Sequence, residues 1–254
     1  MKIVFIGSGN VATLLAEKFV NTGCSILQVL SQHEGHAQRL ADQYHVPFSD
    51  FNGVLNTDAD IYIIALTDKG LNEYASKVKI PGKLVLHTAG SVSINVLKEV
   101  SDTFGVMYPL QTIRKGIVAP ETIPFLIDGS DFSVTQKIKS FAQLISQSVQ
   151  EVRDEERFKL HLGAVMANNF SNYLFSIVEN YCVAEKLDFD LLKPLIMETA
   201  ARINDISPRL VQTGPAVRKD FDTIQKHLDL LQPYTELSQL YKFLSDKIGE
   251  HFNK

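Results

Sequence analysis

A glycine-rich turn near the N-terminus has the clearest chemical meaning in the sequence. It reads Gly7-Ser8-Gly9-Asn10-Val11-Ala12, after the apolar run Lys2–Ile6 and at the start of Val11–Val20, where apolar residues have helical spacing. One glycine permits a tight turn, and a second lets a phosphate group approach the main chain closely. Because backbone N–H groups at the start of a helix favour anions, the segment predicts a cradle for a diphosphate.

Other polar residues occupy positions where a proton donor is expected. His87 ends an apolar run, and histidine is the readiest proton donor near neutral pH; the same residue can equally be a hydrogen-bonded core histidine. His161, Asn168 and Asn172 are spaced by seven and four residues, which places them along one face of a helix. We expect this polar stripe to meet a substrate or other helices, and we assign His87, His161 and Asn168 as candidate catalytic residues.

Two charged residues have both a chemical and a structural interpretation. Arg218 could bind a substrate carboxylate bidentately, so it joins Asn172 as a candidate substrate contact. Alternatively, Arg218 forms an ion pair with Asp220 or a dimer contact. Asp68 follows an apolar run, and we interpret it as a helix N-cap rather than a catalytic acid.

The elements that must position these residues alternate along the first part of the chain. Short runs rich in Val, Ile and Leu recur between segments that suit helices, such as Gly35–Tyr44, Leu71–Lys77 and Val134–Ser146. The runs are Lys2–Ile6, Ser25–Leu30, Asp60–Leu66, Lys83–His87, Thr103–Met107, Pro124–Ile127 and Ser148–Val152. This alternation predicts an α/β fold, a Rossmann-type doubly wound parallel sheet.

Strand signals cease after Arg153, and the rest of the chain predicts an all-α domain. Glu155 to about Lys186 reads as one long helix that is buried on most sides, followed by further helices over Leu191–Ile203, Asp220–Leu231 and Tyr234–Ile248. We predict a dinucleotide-binding domain over residues 1–153 and a helical domain for substrate binding and dimerisation over residues 154–254. A helix that is apolar around its circumference needs more cover than a small domain supplies, so we expect a homodimer.

The carboxyl ends of parallel strands are where such sheets bind ligands. We therefore expect cofactor contacts from the glycine turn and from residues at or just after the ends of the second, third and fourth runs: Gly7, Ser8, Gly9, Asn10, Val11, Ser31, Gln32, Leu66, Thr67 and Ala89. The second run is followed by Ser31-Gln32-His33, without the acidic residue that binds the ribose of NAD. These hydrogen-bond donors, with Arg39 two helical turns later, favour NADP, while NAD stays possible.

Composition excludes several classes of partner. The net charge is −4 and no Lys/Arg stripe is present, so nucleic acid is not expected. Cys24 and Cys182 have no paired spacing, which predicts neither a disulfide framework nor a metal site and favours the cytoplasm. The sequence starts directly with a strand-like run instead of a signal peptide, and Asn and Ser residues within His161–Val178 argue against a membrane span.

Several motifs together resemble one family. The glycine turn is similar to that of pyrroline-5-carboxylate reductases and deazaflavin-dependent NADP oxidoreductases. The chain as a whole resembles a family, provisionally classed as NADP oxidoreductases, that pairs a Rossmann-like domain with a helical domain like that of 6-phosphogluconate dehydrogenase. The further motifs are Leu86-His87-Thr88-Ala89-Gly90-Ser91, Tyr108-Pro109-Leu110-Gln111-Thr112, His161, Asn168-Asn169-Phe170, Thr213-Gly214-Pro215-Ala216, Arg218, Asp220, Thr223 and His227.

One departure from related dehydrogenases bears on mechanism. Related hydroxyacid dehydrogenases place a catalytic lysine one helical turn before an asparagine, whereas Ala164 and Val165 stand four residues before Asn168 and Asn169 here.

Our hypothesis is an NADP-dependent oxidoreductase that acts on a small carbonyl, imine or hydroxy compound in a cleft between the domains. The missing lysine keeps open a non-catalytic dinucleotide sensor or scaffold, and the glycine turn alone would also suit a methyltransferase.

Overall fold

The structure, a computed structural model, describes residues 1–114, 116–117, 120 and 122–252. It divides into two compact units, Met1–Asn169 and Phe170–Lys254. This division falls later than residue 153 because helix α5 (Asp154–Ala164) belongs to the first unit. The predicted domains, 1–153 and 154–254, stay a prediction, and the last two residues of the second lie outside the described residues.

Within its described residues, the first unit contains an eight-stranded sheet in the order β3-β2-β1-β4-β5-β6-β7-β8. The strands are β1 (Lys2–Ile6), β2 (Ser25–Leu30), β3 (Phe48–Ser49), β4 (Ile61–Ile64), β5 (Leu84–His87), β6 (Thr103–Pro109), β7 (Phe125–Gly129) and β8 (Val149–Glu151). Strands β1 to β6 are parallel, which confirms the predicted α/β sheet. Strand β7 pairs antiparallel with β6 and parallel with β8, so the last two strands run in the opposite direction.

Helices cover both faces of this sheet. They are α1 (Asn10–Val20), α2 (Glu34–Ala41), α3 (Asp68–Ala75) and α4 (Phe132–Ala142). Alternate residues of β1 point to opposite faces: Ile3 and Phe5 join a core cluster with α1, α2 and α4, whereas Val4 and Ile6 join one with α3. Burial on both faces explains why these strands are continuous apolar runs without polar alternation.

The order of the strands creates a switch point beside β1. The chain passes from β1 to β2 and β3 on one side, and then returns to form β4 on the other side. The segments after β1 and β4 therefore diverge at the carboxyl edge of the sheet, which is where doubly wound sheets bind ligands.

The second unit is helical, with α6 (Ser171–Ala184), α7 (Lys193–Arg202), α8 (Pro208–Val211), α9 (Phe221–Leu230) and α10 (Thr235–Phe252). The long helix predicted over Glu155–Lys186 is present as α5 and α6, but a π-helical turn over Val165–Phe170 lies between them. The prediction that this helix is buried on most sides is wrong for the single chain. Large apolar side chains such as Met166, Phe170 and Tyr173 are more than half exposed.

Among the described residues, none of the helices has the length and apolar character that crossing a bilayer requires.

Candidate active site

Gly7 is the residue that lets the chain turn at the switch point. Its φ angle is +112°, in the region that favours glycine, and its N–H donates to the carbonyl oxygen of Leu30 at 2.7 Å. A Cβ atom at Gly7 would lie 2.1 Å from the carbonyl oxygen of Ala65. Only glycine fits here, because the turn is held tightly between the ends of β2 and β4.

Gly9 faces open space. It is the N-cap of α1, and its lack of a side chain leaves the first-turn N–H groups of Asn10 and Val11 without a side-chain cap. A Cβ atom added at Gly9 would meet nothing within 4 Å. An open approach to the uncapped N-terminus of an 11-residue helix fits the diphosphate of a dinucleotide.

The side chain of Asn10 holds the loop after β6 next to this turn. Its Nδ2 atom donates to the carbonyl oxygen of Ile113 at 2.9 Å. Ser8 is buried beside it. In this turn, the backbone N–H groups at the start of α1 can therefore bind an anion, whereas the side chain of Asn10 fixes the turn.

The segment after β2 presents donors at the same edge of the sheet. Ser31 is buried and its N–H donates to the carbonyl oxygen of Ser49 at 3.2 Å, whereas Gln32 is exposed. His33 is the N-cap of α2 and makes no side-chain capping bond. This segment lies where the ribose end of a dinucleotide would bind. Helix α2 begins directly after it, at Glu34.

After β4, Thr67 rather than Asp68 caps α3. The Oγ1 atom of Thr67 accepts a hydrogen bond from the N–H of Gly70 at 3.2 Å, so the interpretation of Asp68 as the cap is wrong by one residue. Asp68 instead accepts a hydrogen bond from the hydroxyl of Ser91. This contact ties the start of α3, next to Leu66, to the loop after β5 that carries Ala89.

His87 lies in the core of the first unit. Its side chain is 0% exposed, and its Nδ1 atom accepts a hydrogen bond from the N–H of Ala89 at 3.1 Å. Burial, reinforced by the nearby charge of Arg157, lowers the pKa of His87 to about 3, although Asp154 opposes the shift. A histidine that stays neutral at physiological pH holds the loop by accepting this bond, so we do not include His87 in the proposal for proton transfer.

Tyr108 and His161 form a polar pair beside the loop after β5. The hydroxyl of Tyr108, near the end of β6, lies 2.9 Å from Nδ1 of His161 on α5, and the rings meet edge to face. A Cβ atom at Gly90 would lie 2.6 Å from His161 Nδ1 and 2.8 Å from Tyr108 Cζ. Three elements therefore converge on this pair, and Gly90 is small because both rings pack against it.

Asn168 lies in the π-helical turn and contacts the same region of the first unit. Its Nδ2 atom donates to the hydroxyl of Thr112, four residues after Tyr108. The π-helical turn changes the helical phase between His161 and Asn168, so their spacing alone does not define a common face. Both residues nevertheless contact the same segment at the end of β6: His161 contacts Tyr108, and Asn168 contacts Thr112.

Arg157 and Tyr108 are candidate site residues that the sequence assignment left out. Tyr108 stands in one of the motifs at the end of a predicted strand, but nothing in the sequence indicated its pairing with His161. Arg157, on the first turns of α5, is 0% exposed and bonds to Asp154 at 2.8 Å. A charged residue near the start of a helix is usually exposed, so the sequence holds no signal for this burial.

The predicted substrate contacts Asn172 and Arg218 belong to the second unit, and both are exposed. Among the described residues, the ion pairs do not include one between Arg218 and Asp220. Asp220 is the N-cap of α9 and accepts from the N–H of Thr223 at 3.1 Å. The assignment of Asn172 and Arg218 to substrate stays a prediction.

Two family models match the chain. Residues 2–90 match the family described as NADP oxidoreductase, coenzyme F420-dependent, and residues 123–248 match a domain of unknown function, DUF2520. No curated protein sequence matches the chain.

Solved structures resemble the whole chain. A Bacteroides fragilis protein, provisionally classed as an NADP oxidoreductase, is 36% identical, with 98% of each chain covered and a TM-score of 0.90. The 1-pyrroline-5-carboxylate reductase of Streptococcus pyogenes is 12% identical, with 98% of each chain covered and a TM-score of 0.65.

An Aspergillus terreus reductive aminase, solved with NADPH and ethyl-5-oxohexanoate, is 13% identical over 97% of this chain and 92% of its own, with a TM-score of 0.71. At these low identities the reductase and the aminase show a shared fold. The identity to the Bacteroides protein is high enough to show common family membership. The chain therefore belongs to the oxidoreductase family that joins a domain of the NADP oxidoreductase, coenzyme F420-dependent type to the domain DUF2520.

Proposed function

We propose that this protein is an NADP-dependent oxidoreductase that acts on a small carbonyl, imine or hydroxy compound. The observation that carries the proposal is the turn at Gly7 and Gly9, tightly packed on one side and open on the other, at the switch point of the sheet. Its relatives support the class of reaction, since the Bacteroides protein is classed with NADP oxidoreductases and the Aspergillus enzyme was solved with NADPH.

The cofactor would lie along the carboxyl edge of the sheet. The N-terminus of α1 would hold the diphosphate, Ser31 and Gln32 would bind the 2′-phosphate with donor groups, and Leu66, Thr67 and Ala89 would line the nicotinamide end. When bound, NADPH supplies the hydride that reduces the substrate carbon.

The Tyr108–His161 pair would supply the proton. Burial raises the pKa of Tyr108, which Arg157 partly offsets, so its hydroxyl stays protonated at neutral pH. In the reductive direction, the substrate oxygen or nitrogen would take the proton of the Tyr108 hydroxyl as the substrate carbon receives the hydride. His161, whose Nδ1 atom lies 2.9 Å from that hydroxyl, would pass a proton from Nδ1 to the phenolate while its Nε2 atom takes up a proton from solvent.

The experiment that tests this proposal is a fluorescence titration of the purified protein with NADPH and with NADH. We expect NADPH to bind with a Kd of about 10 μM or tighter and NADH at least about tenfold more weakly, a difference of ~1.4 kcal/mol. S-adenosylmethionine should not compete. Absence of binding for both dinucleotides would refute the proposal, and competition by S-adenosylmethionine would favour a methyltransferase.

The same preparation distinguishes an enzyme from a non-catalytic sensor. We expect NADPH oxidation with at least one member of a panel of cyclic imines, 2-oxo acids and aldehydes, and we expect Tyr108→Phe to slow it at least about tenfold. Normal NADPH binding without turnover on any substrate would favour the sensor, for which the absent lysine already gives a reason.

Cofactor preference has its own test at Ser31. A carboxylate at this position would repel a 2′-phosphate and bind a ribose hydroxyl, so Ser31→Asp should weaken NADPH binding by about tenfold or more and improve NADH binding. Gln38→Asp, on the exposed surface of α2, is the matched control and should leave both affinities unchanged.

We also propose that the protein forms a homodimer through its helical unit. Leu191, Leu195 and Met197 have between 62% and 77% of their surface exposed in the single chain, which is unusual for a group of neighbouring large apolar residues. A second copy would cover this surface.

The two cysteines are free and buried, in keeping with our proposal of a cytoplasmic location.

A further inference from the structure

Arg157 is the largest side chain that is completely buried in the described part of the chain. A buried guanidinium requires partners, because removing its charge from water is unfavourable. Arg157 has two polar partners, Asp154 Oδ1 at 2.8 Å and the carbonyl oxygen of Val92, and its guanidinium carbon lies 5.3 Å from the centre of the Phe158 ring. Its Nε and other Nη atoms have no hydrogen-bond partner among the described residues.

This arrangement is poor for stability alone. Unsatisfied donors of a buried charge are unfavourable, and well-packed apolar residues often replace a buried ion pair without loss of stability. Such local departures from good packing tend to occur where a site must be held in place. The contacts of Arg157 therefore point to a role in positioning.

The contacts of Arg157 and Asp154 join two elements of the site. Arg157 donates to Val92, and both carboxylate oxygens of Asp154 accept from the N–H of Ile94 at 3.3 Å. The first turns of α5 are thus bonded to the end of the loop after β5. We call these contacts the Arg157–Asp154 clasp.

The same helix and the same loop also meet at the Tyr108–His161 pair. His161 lies four residues after Arg157, on the same face of α5, and its ring packs against Gly90 of the loop. Movement of α5 away from the loop at the clasp would change the distance between His161 and Tyr108.

We propose that Arg157 is a positioning residue: through the clasp it fixes α5 against the loop after β5 and so sets the contact between His161 and Tyr108. This inference rests on the proposed function for its consequence in catalysis, but its geometry does not depend on a bound cofactor. The charge of Arg157 also acts on the pair, because it opposes the rise that burial causes in the pKa of Tyr108.

The test follows the ring of His161 by NMR in protein labelled with carbon-13 at histidine Cε1. His161→Gln assigns the resonance, and Tyr108→Phe defines its position when the hydroxyl partner is missing. We expect Arg157→Met to move the His161 resonance more than half of the way towards its position in Tyr108→Phe. Arg157→Lys should move it less, since an ammonium can still reach one of the two acceptors.

Arg153→Met is the matched control, because Arg153 is exposed and precedes α5 by one residue. Its His161 resonance should coincide with that of the wild type.

A wild-type His161 resonance in folded Arg157→Met would overturn the proposal, because a residue that only stabilises would lower the melting temperature without moving this resonance. If Arg157→Met does not fold, the isosteric Asp154→Asn decides in the same way: a moved resonance supports the clasp and an unmoved one overturns it. Failure of the wild type to bind NADPH would refute the proposed function alone and leave this comparison intact.

Discussion

Gly7 and Gly9 are two residues apart in sequence, but they are glycines for different reasons. Gly7 has φ +112° and no room for a Cβ atom, whereas Gly9 has an ordinary extended backbone and open space around it. The first requirement comes from folding. For the second, no packing requirement is present among the described residues, and the ligand that we propose to approach the main chain gives it a reason.

This difference predicts opposite effects for the two alanine variants. Gly7→Ala should lower the free energy of unfolding by about 2 kcal/mol or more, because it combines a strained φ with a clash. Gly9→Ala should change it by less than about 1 kcal/mol but weaken NADPH binding at least tenfold, since its methyl group occupies the approach of the diphosphate. Urea unfolding and NADPH titration measure the two effects, and wild-type affinity in Gly9→Ala would contradict the diphosphate site.

His87 should make the stability of the protein sensitive to acid. Its pKa is about 3 in the folded protein, compared with 6.5 as the ordinary value, so the unfolded chain binds more protons between these pH values. The stability that a neutral His87 provides is fully present above pH 6.5 and is lost progressively as the pH falls towards 3. At pH 5 the expected loss is about 2 kcal/mol.

Urea unfolding at pH 7 and pH 5 checks this prediction. His87→Gln should reduce the difference in unfolding free energy between the two pH values by about 2 kcal/mol relative to the wild type. His36→Gln, which removes an exposed histidine on α2, should keep the wild-type difference. An equal acid response in all three proteins would show that His87 is not the residue responsible.

At the scale of elements, the end of β6, helix α5 and the loop after β5 meet at one point, where Gly90 touches both Tyr108 and His161. We expect Gly90→Ala to separate the two rings, since its Cβ atom would overlap both of them. Turnover of NADPH should fall at least about tenfold while the Kd for NADPH changes little.

The control is Gly163→Ala, which lies in α5, the helix that carries His161. A Cβ atom at Gly163 meets nothing within 4 Å, and alanine favours a helix over glycine by about 1 kcal/mol, so this variant should be as stable as the wild type or more stable. Equal turnover in Gly90→Ala and Gly163→Ala would contradict the importance of the convergence point.

The element types could be predicted from sequence because burial on both faces makes each parallel strand an apolar run. Strand β3 was missed since two residues, Phe48–Ser49, carry no periodicity. The reversal of β7 was missed because an apolar run has no direction. The π-helical turn was missed too, as Val165–Phe170 keeps an ordinary helical composition.

The candidate site was predictable where local sequence determines local structure. The glycine turn is such a case, because its backbone conformation and the residues that allow it lie in one short segment. The pairing of Tyr108 with His161 depends on residues 53 positions apart, and no local pattern encodes it. The burial of Arg157 is likewise a tertiary effect, and it was absent from the sequence prediction for that reason.

At the scale of the whole molecule, the sheet unit has a well-buried core, whereas the helical unit exposes many apolar side chains. In the described part of that unit, the buried hydrophobic residues are only Cys182, Ala216 and Leu231. A helical unit of this kind needs cover from outside itself, and we proposed a second copy.

Sedimentation velocity checks the dimer. The wild type should sediment as a dimer at micromolar concentration, and Leu191→Glu combined with Leu195→Glu should weaken association at least tenfold, because each buried leucine contributes about 2 kcal/mol. Phe132→Glu, at a residue 77% exposed in the sheet unit, is the control and should remain dimeric. A wild type that sediments only as a monomer would refute the dimer.

The two edge strands of the sheet, β3 and β8, bear on how copies of this chain can associate. Strand β3 has two residues, and β8 has three, of which Glu151 is held by Lys139 at 2.8 Å. Short edge strands are poor templates for recruiting a strand from another molecule, and the ion pair on β8 makes that strand a poorer one still. We therefore expect the folded protein to resist fibril formation during prolonged storage, despite a sheet made of strongly apolar strands.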